Sequence, residues 1–303
     1  MQASLPRLKS DSRGMPKLDR LSWAEGIAVI AYGVRVGIRA NRPGVIADYL
    51  PVLPPGWKPA RSLDVERLYS IVAGGVDQRR GLRPSHLVYA NGERLLRATQ
   101  VERTAEAFEH DVQLYVAEMA PRRVFVHAGV VGWRGQAVVI PGRSFSGKTT
   151  LTAALVRAGC TYYSDEYAVL DQAGRVHPYT RLLGIRERGQ SERATRYAVE
   201  ALGGKRGVKP LPVALIIASQ YKLGAHWRPR CLSAGEGALA LLENTVSARR
   251  EPQAALATLR RVVATSAVWK GKRGEARAVV DFIFNILEKN AGNPVDNHQP
   301  TNV

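Results

Sequence analysis

The chain has 303 residues, 45% of them hydrophobic and 23% charged, which suits one large domain or two modest ones and excludes a disordered chain. The formal net charge of +18 favours acidic partners, but no block of like charges stands out, as expected of a generally basic solvated surface. Two cysteines, Cys160 and Cys231, with no CxxC pair exclude metal-cluster and disulfide frameworks.

Residues 1–20 are polar and broken by Pro6, Gly14 and Pro16, so they are expected to form a loose arm. They lack the apolar core of a secretory signal, and no apolar run reaches bilayer length. A cytoplasmic protein without a membrane span is therefore expected. From 21 to about 98 the pattern favours strands: "IAVIAYGVRVGIRA" is rich in β-branched residues. In "HLVYANGERLLRA", Asn91-Gly92 fits a two-residue hairpin turn, which needs positive φ at both positions. Residues 99–120 switch to helical spacing through Val101, Ala105, Phe108, Val112, Tyr115, Val116 and Met119. Thr99 and Glu102 suggest a capping box, and Pro121 ends the run.

In the region 121–290, "RVFVHAGVV" and "QAVVIP" read as two strands joined through "GWRG". A glycine-rich loop follows, then a helix over about 147–158 that Gly159 stops. "TYYSDEYAVLD" reads as the next strand region, and "PVALIIAS" as a strand buried on both faces. Ser233 and Glu236 suggest a capping box before Leu239, Leu242 and Val246. Further helices start near Pro252, with Leu256, Leu259, Val262 and Val263, and near Glu275, with Val279, Phe282, Ile283, Ile286 and Leu287. Residues 291–303 form a polar tail.

The loop Gly142-Arg143-Ser144-Phe145-Ser146-Gly147-Lys148-Thr149 fits G-x-x-x-x-G-K-[ST], after an expected strand and before an expected helix. Glycines at 142 and 147 let the backbone fold back so that its N–H groups face phosphate oxygens, and the helix N-terminus adds its dipole. Lys148 can reach the β- and γ-phosphates, and the hydroxyl of Thr149 can meet Mg2+; Thr150 completes the segment. Asp165 and Glu166 lie seventeen and eighteen positions after Lys148. A doubly wound or related sheet would bring them to the strand end nearest the loop. One acid could help hold Mg2+ and the other accept a proton from a hydroxyl. The short spacing, and the lack of an "LSGGQ"-like sequence, argue against a transport ATPase.

The stretch "HAGVVGWRGQAVVIPGRSFSGKTTLTAALVRAGCTYYSDEYAVLD" resembles the catalytic core of the HPr serine kinase/phosphorylase family and its HPr-kinase-like relatives. The resemblance implies a phosphate-loop core related to phosphoenolpyruvate carboxykinase, of mixed α/β (α+β) class, with a β-rich N-terminal portion and a helical C-terminus. It implies ATP and Mg2+ as cofactors, Asp165 as general base, Glu166 as a metal ligand in place of the family's frequent aspartate, and His127 beside the base. Arg181, Arg186, Arg249 and Arg250 are further candidates for contact with phosphate.

Two functions follow. The first is transfer of the γ-phosphoryl group to a hydroxyl acceptor: serine of a protein or peptide, or a small molecule, with an acidic acceptor suiting the charge. The segment after Asp171 lacks a convincing copy of the loop that true HPr kinases use for their partner. The second is a non-catalytic ATP-binding regulatory or maturation module. Nucleic acid is not expected as a partner, because no zinc module, RNA-binding aromatic motif or basic helix accompanies the charge. Homo-oligomerisation is left open by the sequence.

Overall fold

The computed structural model of the chain describes residues 15–74, 85–143, 146–185 and 195–292. The fold is mixed α/β, and its contacts divide it into Met1–Pro121 and Arg122–Val303.

The first unit is built on a six-stranded sheet in the order β3-β1-β2-β4-β5-β6. Its strands are β1 (Glu25–Ala31), β2 (Val34–Ala40), β3 (Lys58–Pro59), β4 (Arg67–Val72), β5 (His86–Ala90) and β6 (Glu93–Ala98). The expected hairpin is present: Asn91 and Gly92 have φ of 47° and 90° between β5 and β6. "IAVIAYGVRVGIRA" is itself a hairpin, turning at Tyr32-Gly33 with φ of 50° and 88°. The part of the expected arm that is described, Met15–Arg20, is a 3-10 helix, not a loose segment. Asp19 accepts from Arg39, and the Arg39 guanidinium lies 4.2 Å from the Trp23 ring centroid.

Helix α1 spans Val101–Met119 and ends at Ala120 before Pro121. The expected Thr99–Glu102 capping box does not form. The helix starts one residue later than the box requires, after an extended Gln100, and no side chain caps it.

The second unit holds an eight-stranded sheet with helices on both faces. Its strands include β7 (Arg123–Trp133), β8 (Gln136–Pro141), β9 (Thr161–Ser164), β10 (Tyr167–Asp171) and β11 (Arg175–His177). The short pair β12 (Leu183–Ile185) and β13 (Thr195–Tyr197) stands apart. The sheet continues with β14 (Leu211–Tyr221), β15 (Arg230–Cys231) and β16 (Ala267–Arg273). The order is β11-β10-β7-β8-β14-β16-β15, with β9 also on β7, and β11 bonds back to the start of β14. Only β8, β14 and β16 run parallel as neighbours. That central position buries "PVALIIAS" on both faces, as its unbroken apolar run requires.

The helices are α2 (Lys148–Arg157), α3 (Ala234–Leu242), α4 (Pro252–Ala264) and α5 (Arg277–Gly292). One sheet face packs Val126, Val139, Ile216 and Val268 with Leu241 and Leu259 of α3 and α4. The other packs Val138, Ile140 and Ile217 with Leu151 of α2 and Val279 and Ile283 of α5. The Ser233–Glu236 capping box is formed.

Three sequence expectations change here. Leu239 and Leu256 are exposed, at 59% and 37%, because the inward faces of their helices carry Gly237, Ala238, Leu241 and Ala255 instead. The helix expected to continue to Val246 stops short of it, so Arg249 and Arg250 lie outside that helix. The chain leaves α3 at Leu242 and passes through a 3-10 turn at Val246–Ala248, and Arg250 pairs with Glu251. Strand β16, between the last two helices, was not read from the sequence at all.

Helix α2 seats on β7 through Gly129. A Cβ added there would stand 2.2 Å from the Thr152 Oγ1. Gly129→Ala is therefore expected to cost about 1–3 kcal/mol in urea unfolding, with part recovered when Thr152→Ala is added. A Gly129→Ala protein as stable as the parent would contradict this seating.

Candidate functional site

The glycine-rich loop joins the end of β8 to the start of α2. Gly147 caps the helix with φ 85°, a conformation that glycine adopts without strain. Gly142 donates its N–H to the His127 carbonyl at 3.1 Å. A side chain at Gly142 would meet the Ser146 Oγ at 2.5 Å. That Oγ is buried and has no hydrogen-bond partner among the described residues. Lys148 opens α2 and donates from its Nζ to the Arg143 carbonyl at 3.1 Å. Thr149 is half-buried and Thr150 exposed; Ser144 and Phe145 lie outside the described residues.

The acids are placed by a break in a strand. The register pairs Val130 of β7 with Ser164 of β9, and His127 of β7 with Tyr167 of β10. The two short strands thus lie end to end along β7, and Asp165-Glu166 fills the gap between them. Ser164 makes the kink: its Oγ accepts from the N–H groups of Glu166 and Tyr167 at 3.1 and 3.0 Å. The Glu166 carbonyl accepts from Ala128 N–H. Ala128 is in turn opposite Pro141, the last residue before the loop. One strand therefore separates the carboxylates from the glycine-rich loop.

Electrostatics tie the two together. Burial lowers the Lys148 pKa, and the charges of Asp165 and Glu166 oppose that shift. Burial raises the Asp165 pKa. The Tyr162 hydroxyl, donating to Oδ1 at 2.8 Å, the Gly184 N–H at 3.5 Å from Oδ2, and Lys148 all pull it down again. Burial and the neighbouring Asp165 raise Glu166, while Lys148 and Arg196 lower it. Glu166 accepts from Arg181 at 2.9 Å. Burial, with Arg196 nearby, brings the Arg181 guanidinium down to about 10.

The structure thus brings Gly142, Ser146, Gly147, Lys148, Asp165, Glu166 and Arg181 into one neighbourhood. His127 joins through its carbonyl, and its ring lies 4.7 Å from that of Tyr167, the residue after Glu166. Arg186 lies outside the described residues. Arg249 lies beyond α3, where it flanks the 3-10 turn.

Sequence reading missed three supports. Tyr162 positions Asp165, and its place three residues upstream was a usable signal. Tyr221 ends β14 and donates its N–H to the Ser146 carbonyl at 3.2 Å. Arg273 is buried at the end of β16 and donates to the Gly147 carbonyl at 2.6 Å. It went unseen because "AVWKGKR" lacks the alternation of a half-buried strand.

The residues present fit a nucleotide phosphate chain: a backbone cradle that a Cβ would fill, a buried orphan hydroxyl on Ser146, and a desolvated ammonium on Lys148. Among the described residues no cluster of three or more His, Cys, Asp or Glu side chains could hold a metal. Glu166, already engaged by the Arg181 guanidinium, offers a single carboxylate of the kind used by sites that share a divalent cation with phosphate oxygens. No family model matches the chain, and neither does any curated protein.

Ser164→Ala is expected to lower unfolding free energy by about 1–2 kcal/mol, because two N–H groups at the kink lose their acceptor. A urea midpoint equal to that of the parent protein would contradict this role.

Proposed function

We propose that the chain is an ATP- and Mg2+-dependent phosphotransferase of HPr-kinase-like type, acting on a hydroxyl, with serine of a protein or peptide as the acceptor. The observation that carries this reading is a half-buried Asp165, oriented by Tyr162, that acts electrostatically on the lysine of the glycine-rich loop. When bound, ATP supplies the phosphoryl group and Mg2+ neutralises its oxygens.

The chain's own residues then divide the work. Ser146 offers its unpartnered hydroxyl to phosphate, Gly142 and Gly147 leave the space a side chain would fill, and Lys148 adds a positive charge in a desolvated setting, where charge counts for more than in water. Oδ1 of Asp165 is held by Tyr162 at 2.8 Å, while Oδ2 meets the Gly184 N–H at the longer distance of 3.5 Å, so Oδ2 is the atom that takes the proton of the attacking hydroxyl. The new O–P bond forms as the bond to the leaving ADP breaks, and the proton ends on Asp165. Glu166 is poised between Arg181 and the metal role.

A second reading, a non-catalytic ATP-binding regulatory or maturation module, draws on that same Glu166–Arg181 pair, since an arginine already engages the carboxylate the metal would need.

Asp165→Asn separates the two readings. A transferase should lose roughly 10²–10⁴-fold in kcat while its ATP affinity, measured by calorimetry, stays within a few-fold. A sensor should keep its partner response as well. The pH dependence carries a second prediction. The base works ionised, and burial raises its pKa, so kcat/KM should fall as pH drops through a value above the ordinary aspartate pKa of about 4. Tyr162→Phe removes a bond that favours the ionised form, and should move that acid limb to higher pH. A limb unmoved in Tyr162→Phe would argue against Asp165 as the base.

A further inference from the structure

We propose that the base of the nucleotide rests on the turn Lys222–Ala225, with Leu223 as its apolar platform. This rests on the nucleotide-binding reading above and names where the rest of the ligand lies.

Strand β8 has β7 on one side and β14 on the other. The acids lie beyond β7. Tyr221 and Arg273 end β14 and β16, on the opposite side. The loop is tethered to both. Near its start, Gly142 bonds the His127 carbonyl; near its end, Ser146 accepts from Tyr221 and Gly147 from Arg273. A triphosphate is an unbranched chain. If its γ end met Lys148 and Asp165 on the β7 side of the loop, its α end and nucleoside would lie toward the loop's other tether, at the β14 and β16 ends.

The chain builds a firm shelf there. Lys222 donates its N–H to the Arg273 carbonyl at 2.8 Å, and Ala225 returns to the Lys222 carbonyl at 3.0 Å. Gly224, at φ 72°, takes the third position of this four-residue turn, where a type II turn needs positive φ. The shelf is packed against the start of the next connection, since a Cβ on Gly274 would come within 2.5 Å of the Ala225 carbonyl oxygen.

At the tip stands Leu223, 74% exposed. Turn tips favour Gly, Pro, Asn, Asp and Ser, so a leucine there is out of character. Covering it with the flat face of a base would remove apolar surface from water on both partners. A leucine offers no hydrogen bond to a base edge, so the seat does not choose among bases, and the ligand class is nucleoside triphosphates gripped by their phosphates and resting on an apolar contact.

The test titrates ATP and inorganic tripolyphosphate, each with Mg2+, into the parent protein, Leu223→Ser and Lys148→Ala. The expected result is an ATP affinity weakened roughly tenfold in Leu223→Ser, with tripolyphosphate affinity unchanged. Lys148→Ala should weaken both ligands. Equal ATP affinity in Leu223→Ser and the parent would overturn the base seat, as would a parallel loss of both ligands in Leu223→Ser. If the parent binds neither ligand, the nucleotide reading itself fails, and the base seat with it.

Discussion

The candidate site depends on a single irregularity: β7 is paired along one edge by two short strands instead of one long one. The break between Ser164 and Tyr167 takes Asp165 out of the ladder and leaves Glu166 tied to β7 through its carbonyl, while the backbone on either side stays hydrogen-bonded to β7. Ser164 satisfies the N–H groups that the break would otherwise orphan. Without that kink, Asp165 and Glu166 would alternate to opposite faces of a continuous strand, and only one could turn toward the glycine-rich loop.

This arrangement is costly in isolation. Two neighbouring carboxylates are partly desolvated, and Glu166 is raised further by Asp165. A lysine, a tyrosine hydroxyl and an arginine offset that cost. A cluster of ionisable groups whose burial works against their charges costs stability, and such clusters concentrate at functional sites as well as in structural ion-pair networks. By contrast, the layers around it are conventional: apolar strand faces pack against helices whose inner stripes are leucine, valine and alanine.

Local signals made much of this legible. Asn91-Gly92 named its turn because positive φ is a property of the residues themselves. The loop could be singled out because its glycines and lysine follow the G-x-x-x-x-G-K-[ST] spacing, and it lies between β8 and α2 as that spacing expects. The Ser233–Glu236 box was readable because a cap is a contact between near neighbours. The same logic failed at Thr99, where the helix began one residue later than the box requires. What stayed hidden depends on distant partners. Arg273 looks like one more surface cation until β16 is placed beside β14, and its role at Gly147 spans most of the second unit. Leu239 reads as an inward leucine until Gly237 is seen approaching Val268 closely enough to set the helix's rotation.

In the proposed transferase, Asp165 faces the end of a phosphate chain held by the glycine-rich loop. A structure with Mg2+ and a non-hydrolysable ATP analogue measures this most directly. The account expects the terminal phosphate beside the Lys148 Nζ, with Asp165 Oδ2 on its far side and room for one hydroxyl between. A terminal phosphate lodged elsewhere, or an Asp165 carboxylate turned away from it, would contradict the account.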